Sequence, residues 1–359
     1  MNKKVIALAV AGVLSAPLMV QAESTITLGG DARARAYSQT PDGGDTGGVA
    51  DSRIRLKIEA NDDKQAGINY RMKLSNTSHA NNKPALDTDY AWAWVDTGVV
   101  KLSGGVMVAT WGNGLVVNDA RPNRLLATTT VSGFTLAAGY DVVREAGLGV
   151  DPEKGADGVA KAGADGDTDK LVLFARTKNF GLIYVNTMNN EMDTSNNIVD
   201  AFYNGKFGDV SVDVEVASKG GDSDTGTIFG GTVMVPVGGA TLAGIVIQAD
   251  DTGTLDGDYL ADRGIMAFDQ DHIGLGNMSA SADESLTIVG GAAIFSMSDK
   301  VGAQLTLAQV MMSDSGADDM TLIDGHLSYK VGKASSVMPY FSSLSDVADG
   351  YGVNIETKF

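Results

Sequence analysis

The feature that most limits the fold of this chain is a two-residue period carried by charge. In DSRIRLKIEA (51–60), Arg53, Arg55 and Lys57 alternate with Ile54, Leu56 and Ile58. Successive side chains of a strand point to opposite faces, so one face here is apolar and the other strongly basic. TITLGGDARARAY (25–37), GINYRMKLS (67–75) and DVSVDVEVAS (209–218) alternate in the same way, the last setting Val210, Val212, Val214 and Val216 against Asp209, Ser211, Asp213 and Glu215. TLIDGHLSYKV (321–331) and the closing YGVNIETKF repeat the pattern. Helical periodicity is nearly absent, so the reading is all-β.

The connections alternate in kind. Short turns at 61–66, 96–98, 131–133, 178–181, 207–209, 236–239, 298–300 and 332–335 are interleaved with longer Gly/Asp-rich segments at 39–50, 77–88, 110–123, 145–168, 190–197, 219–225, 250–283, 313–319 and 345–350. Transmembrane barrels combine short periplasmic turns with longer extracellular loops and alternating segments of about ten residues. Counting strands between these connections predicts an antiparallel up-and-down barrel of eighteen strands, or sixteen if 123–131 or 336–345 is not a full strand. A soluble sandwich, as in a secreted adhesin, also alternates but turns its apolar side inward.

At the N-terminus, Lys3 and Lys4 precede an apolar run to Val20, and Val20-Gln21-Ala22 offers small residues before Glu23. Residues 1–22 therefore read as an export signal, with the barrel in 23–359. The chain has no cysteine, which excludes disulfides and thiolate metal sites, and three histidines, His79, His272 and His326. A net charge of −18 argues against nucleic acid. No metal or cofactor is expected.

Nor is catalysis. Asp324, His326 and Ser328 share a strand face, but positions two apart on a face are about 7 Å apart, too far for a relay.

The C-terminal Phe359 on an alternating strand, preceded by GHLSYKVGKASSVMPYFSSLSD (325–346), resembles the closing strands of Gram-negative general porins. ITLGGDARARAY (26–37) and GFTLAAGY (133–140) are similar to porin strands as well. The resemblance implies an outer-membrane homotrimer surrounded by lipid and lipopolysaccharide. It also implies that Tyr351, Val353, Ile355 and Phe359 form a signal for the barrel-assembly machinery. In that family arginines on the wall face carboxylates on the third extracellular loop, which places Arg33, Arg35, Arg53, Arg55 and Arg71 opposite Asp119. The segment 110–123 is short for that loop, and eighteen strands exceed the family's sixteen.

In such a barrel the apolar faces meet lipid, where Arg or Lys near the midplane costs about 2–4 kcal/mol, and the charged faces line water. The expected pore-lining set is Arg33, Arg35, Arg53, Arg55, Lys57, Arg71 and Lys73, with Asp119, Asp200, Asp213, Glu215 and Glu356 opposing them. Tyr90, Trp92 and Trp94 are expected on the outer surface, at headgroups or a subunit interface, with Ala91 and Ala93 toward the lumen. Acidic residues crowd 145–169 and 250–284; at the pore mouth they would enrich cations. The function these features imply is passive diffusion of small hydrophilic solutes and ions, with a weak cation preference. The alternative is a substrate-specific channel.

Overall fold

The computed structural model describes residues 24–62, 65–78, 85–117, 120–144, 168–189, 193–222, 225–251, 285–313 and 319–359. The first half contains β1 (Ser24–Pro41), β2 (Gly47–Asp62), β3 (Ala66–Ser78), β4 (Ala85–Asp96), β5 (Lys101–Val106), β6 (Asn123–Val131), β7 (Phe134–Arg144), β8 (Thr168–Arg176) and β9 (Phe180–Asn189). The second contains β10 (Thr194–Phe207), β11 (Val210–Gly221), β12 (Gly226–Val237), β13 (Ala240–Asp251), β14 (Ser285–Ser296), β15 (Val301–Ser313), β16 (Met320–Lys330), β17 (Ser335–Leu344) and β18 (Ala348–Lys358). Each strand pairs antiparallel with its sequence neighbours, and β18 returns to β1 with Ala34 opposite Ile355. Closure leaves no unpaired edge, which a bilayer requires because it offers no water to backbone groups. The barrel has eighteen strands; both segments that could have reduced the number to sixteen are full strands, β6 and β17.

The seam is closed by the last residue. Phe359 N–H donates to Gly30 O at 3.0 Å and Gly30 N–H to Phe359 O at 2.9 Å. A Cβ at Gly30 would lie 2.8 Å from the Phe359 ring, so glycine at this position admits the terminal aromatic. The turn between β6 and β7 is two residues, Ser132 and Gly133, both with φ above +50°. Two positive-φ residues match the twist of the flanking strands in a tight hairpin.

Several segments that compositionally read as loops are strand. β1 and β2 continue their ladder to Gln39 opposite Gly47, leaving 42–46 between them where composition suggests 39–50. Polar side chains do not end a ladder whose backbone partners are still in register.

The apolar faces point outward. Ile26, Leu28, Ile54, Ile68, Leu182, Leu307 and Val216 are exposed, whereas Arg35, Asp51, Arg124 and Glu215 are buried on the inner face. This orientation, with closure, excludes the soluble sandwich.

Candidate functional site: the barrel interior

One side of the interior is a charged wall built by strand register. Arg33 is the Cα partner of Arg53 and of Glu356; Arg55 partners Lys73; Lys57 partners Arg71. On β1 to β3, seven cations (Arg33, Arg35, Arg53, Arg55, Lys57, Arg71, Lys73) share this face with Asp31, Asp51 and Glu59. The carboxylates fix the guanidinium groups. Asp31 accepts from Arg55 Nε at 2.7 Å and Arg53 Nη2 at 3.3 Å, and Asp51 accepts from Arg35 Nε at 2.7 Å. Asp89 is shared by Arg71 and Arg121 Nε, the latter at 3.0 Å. Further round, Arg124 Nη2 donates to Asp141 at 2.8 Å. Held as planar forks, such groups suit recognition of a carboxylate or phosphate.

The neighbouring aromatic stripe lies inside the barrel, which corrects the expectation. Between β3 and β4 the register shifts, from Met72 opposite Thr88 to Arg71 opposite Tyr90, leaving Asp89 as an extra residue. One inserted residue moves every later side chain to the other face. Leu86 is therefore outside, whereas Tyr90 is 6% exposed under the Arg71 guanidinium, 4.6 Å from its ring centroid. Trp92 and Trp94 follow on the inner face, with Lys101 Nζ 3.9 Å from the Trp94 ring centroid; Ala93 faces out.

The segment after β5 folds inward as a finger. Its stem is a short antiparallel bridge, Ala109 to Ala120 at 2.9 Å both ways, continued by Trp111 N–H to Val117 O at 2.9 Å. It lands on the opposite wall. Trp111 packs with Val172, Ile183 and Val185 on β8 and β9. Asn113 Nδ2 donates to Val214 O at 3.0 Å and Tyr203 O at 3.2 Å, and Asn113 Oδ1 accepts from Asn204 at 3.2 Å. The Asn113 and Leu115 backbone N–H groups donate to the Glu215 carboxylate. Leu115, fully buried, joins an apolar inner wall that includes Ile228, Ile247, Leu286, Ile288 and Val310.

The sequence-derived acidic set is thereby distributed unequally. Glu356 stands beside Arg33 rather than across from it. Asp200 and Glu215 lie across the barrel but are completely buried beneath the finger. Asp213 is half-buried and accepts from Thr232 at 3.4 Å. Asp119 lies outside the described residues, as do 145–167 and 252–284, which hold most of the acidic loop charge. Tyr351, Val353, Ile355 and Phe359 all point outward. The Asp324 carboxylate is occupied by the Ser342 hydroxyl at 3.0 Å. Among the described residues, no group of three or more His, Cys, Asp or Glu is placed to hold a metal.

Sequence reasoning does not find Asp31, Asp51 and Asp89 as clamps, nor Trp111, Asn113 and Leu115 as anchors. TWGNG (110–114) carries a turn signal, but nothing local says where the turn lands.

No protein-family model and no curated protein matches the chain. Solved structures do. Pseudomonas aeruginosa OccK2 (OpdF) in complex with glucuronate has a TM-score of 0.63 at 12% identity, covering 93% of this chain and 96% of that one. P. aeruginosa OccK11 (OpdR) gives 0.64 at 13% identity, with 94% and 96% covered. The P. aeruginosa outer-membrane protein opdK gives 0.62 at 11%, with 93% and 99% covered. The fold is that of these outer-membrane porins, over nearly their whole length.

Proposed function

We propose that this outer-membrane porin barrel is a substrate-selective channel for small solutes that carry a carboxylate. The observation that carries the reading is the row of guanidinium groups, Arg33, Arg35, Arg53, Arg55 and Arg71, on one inner wall, with Arg121 and Arg124 beside it. Asp31, Asp51 and Asp89 pre-set several of these forks, so a passing carboxylate meets oriented donors. A cleft lined by one sign of charge raises the local concentration of its counter-ion. The finger narrows the interior opposite this wall and forces solutes past it.

Tyr90, Trp92 and Trp94 add a ring-stacking surface next to the cations, which suits solutes that are cyclic as well as anionic. Two P. aeruginosa structures with this fold hold carboxylates, glucuronate in OccK2 and vanillate in OpdK, and they support the reading. The expected weak cation preference rests on acidic segments outside the described residues, and the described interior favours the substrate-specific alternative, with anions as its solutes.

The outward row Tyr351, Val353, Ile355 and Phe359 supports a role in assembly by the barrel machinery, with lipid and lipopolysaccharide against the belt and a homotrimer as the assembled form. Reversal potentials in a KCl gradient across planar bilayers test the channel reading. We expect anion preference, increased when chloride is replaced by a cyclic monocarboxylate; a cation-preferring reversal potential for both salts overturns it.

A further inference from the structure

Beneath the finger lies a pair of acids that the conduction pathway does not use. Asp200 on β10 and Glu215 on β11 are both completely buried. Their side chains are within hydrogen-bond reach of each other. Glu215 accepts the Asn113 and Leu115 backbone N–H groups, whereas no N–H or O–H donates to either oxygen of Asp200. Gly112, at φ +53°, presses on both: a Cβ there would lie 2.8 Å from the Glu215 carboxyl and 3.0 Å from Asp200 Oδ2.

Among the described residues, the register partners of the pair supply no compensating cation. Ile183 on β9, Phe202 on β10, Ala217 on β11 and Gly230 on β12 are register partners of the pair and are uncharged. Asp213, the next inner position on β11, is acidic. Lys219 lies two inner positions beyond Glu215 on β11, opposite Ile198 and Gly226. Two ionised carboxylates held in contact at a fully buried site repel strongly. A proton shared between them removes one of the two charges, gives Asp200 a hydrogen-bond partner and leaves Glu215 free to accept from the finger.

We propose that Asp200 and Glu215 are positioning residues that hold the finger against the wall through one shared proton, and that loss of this proton releases the finger and changes the conductance. The finger matters only because it narrows the channel, so the inference rests on the channel reading but not on its substrate.

Single-channel conductance in KCl from about pH 6 to about pH 10, a span on which ordinary carboxyls are already ionised, tests it. The wild-type channel is expected to hold one conductance at the acid end and to pass to a larger, noisier one at the alkaline end. In Asp200→Asn the amide donates to Glu215 permanently, so the acid-end conductance should persist throughout. Because the chain has no cysteine, Asn113→Cys with Asn204→Cys, side chains in contact in the wild type, offers one possible disulfide to tie the finger to β10, its formation checked by thiol titration. The oxidised form should lose the pH response and recover it on reduction. If Asp200→Asn fails to fold, the wild type and the disulfide pair still decide. Absence of a response in the wild type, or one that survives the disulfide or the amide, overturns the proposal. A channel that lacks anion preference yet shows this response would retire the proposed substrate and leave the positioning pair standing.

Discussion

The two walls of the barrel interior solve opposite problems. The wall of β1 to β4 concentrates cations and tolerates them because carboxylates stand directly opposite on the neighbouring strand, Asp31 opposite Arg55 and Asp51 opposite Arg35. Arg53 and Arg55 divide Asp31 between them, and both remain partly exposed. The wall at β13 and β14 is apolar inside as well as out: Ile245 and Ile247 face in while Leu242 and Val246 face lipid on the same strand. A strand apolar on both faces is one buried on both, as in the cores of parallel sheets. The finger bridges the two, rooted beside the charged wall through Arg121 and Asp89 and landing on the apolar one through Leu115. In the proposed channel, charge on one wall would select what is attracted, and apolar packing on the other holds the finger in place.

The largest effect is expected from a charge placed on the apolar wall. Ile288→Asp places an unpaired carboxylate at a fully buried site, at a cost of several kcal/mol. We expect no heat-modifiable barrel on gels, whereas Arg53→Ala on the charged wall should fold. Next, Trp111→Ala empties the finger's contact with Val172, Ile183 and Val185 and should cost about 3–5 kcal/mol of local packing. Bilayer recordings should then show larger, noisier openings with the barrel intact.

Asp31→Asn sharpens the charged side of the comparison. It removes the carboxylate shared by Arg53 and Arg55, so the reversal potential should move further toward anions, and less so above about 1 M salt, where the Debye length is about 3 Å. The smallest effect is expected for Trp94→Ala. It deletes the Lys101 cation–π contact, worth about 0.5–1 kcal/mol at an exposed site, and should weaken uptake of cyclic carboxylates more than that of acetate in liposome assays.

The charged wall is legible in the amino-acid order alone. Arg33, Arg35, Arg53, Arg55, Lys57, Arg71 and Lys73 all lie in segments whose period of two is unbroken, and all share the inner face. The same period puts Tyr90, Trp92 and Trp94 on the wrong face because Asp89 resets the phase, and a bulge of one polar residue looks no different from an ordinary strand residue. Alternation assigns Asp200 and Glu215 to the inner face, but as solvated pore charges. Their complete burial follows from a finger about a hundred residues earlier in the chain, a distance over which no local pattern carries information.

Alternation of side chains is a local property, so the order of residues suffices to dictate that strands form and which chemistry meets lipid along each uninterrupted run. Phase and long-range contact are not local. The bulge that turns the aromatics inward, the clamps that orient the arginines, and the landing site of the finger are set only once eighteen strands close and bring distant side chains into one register.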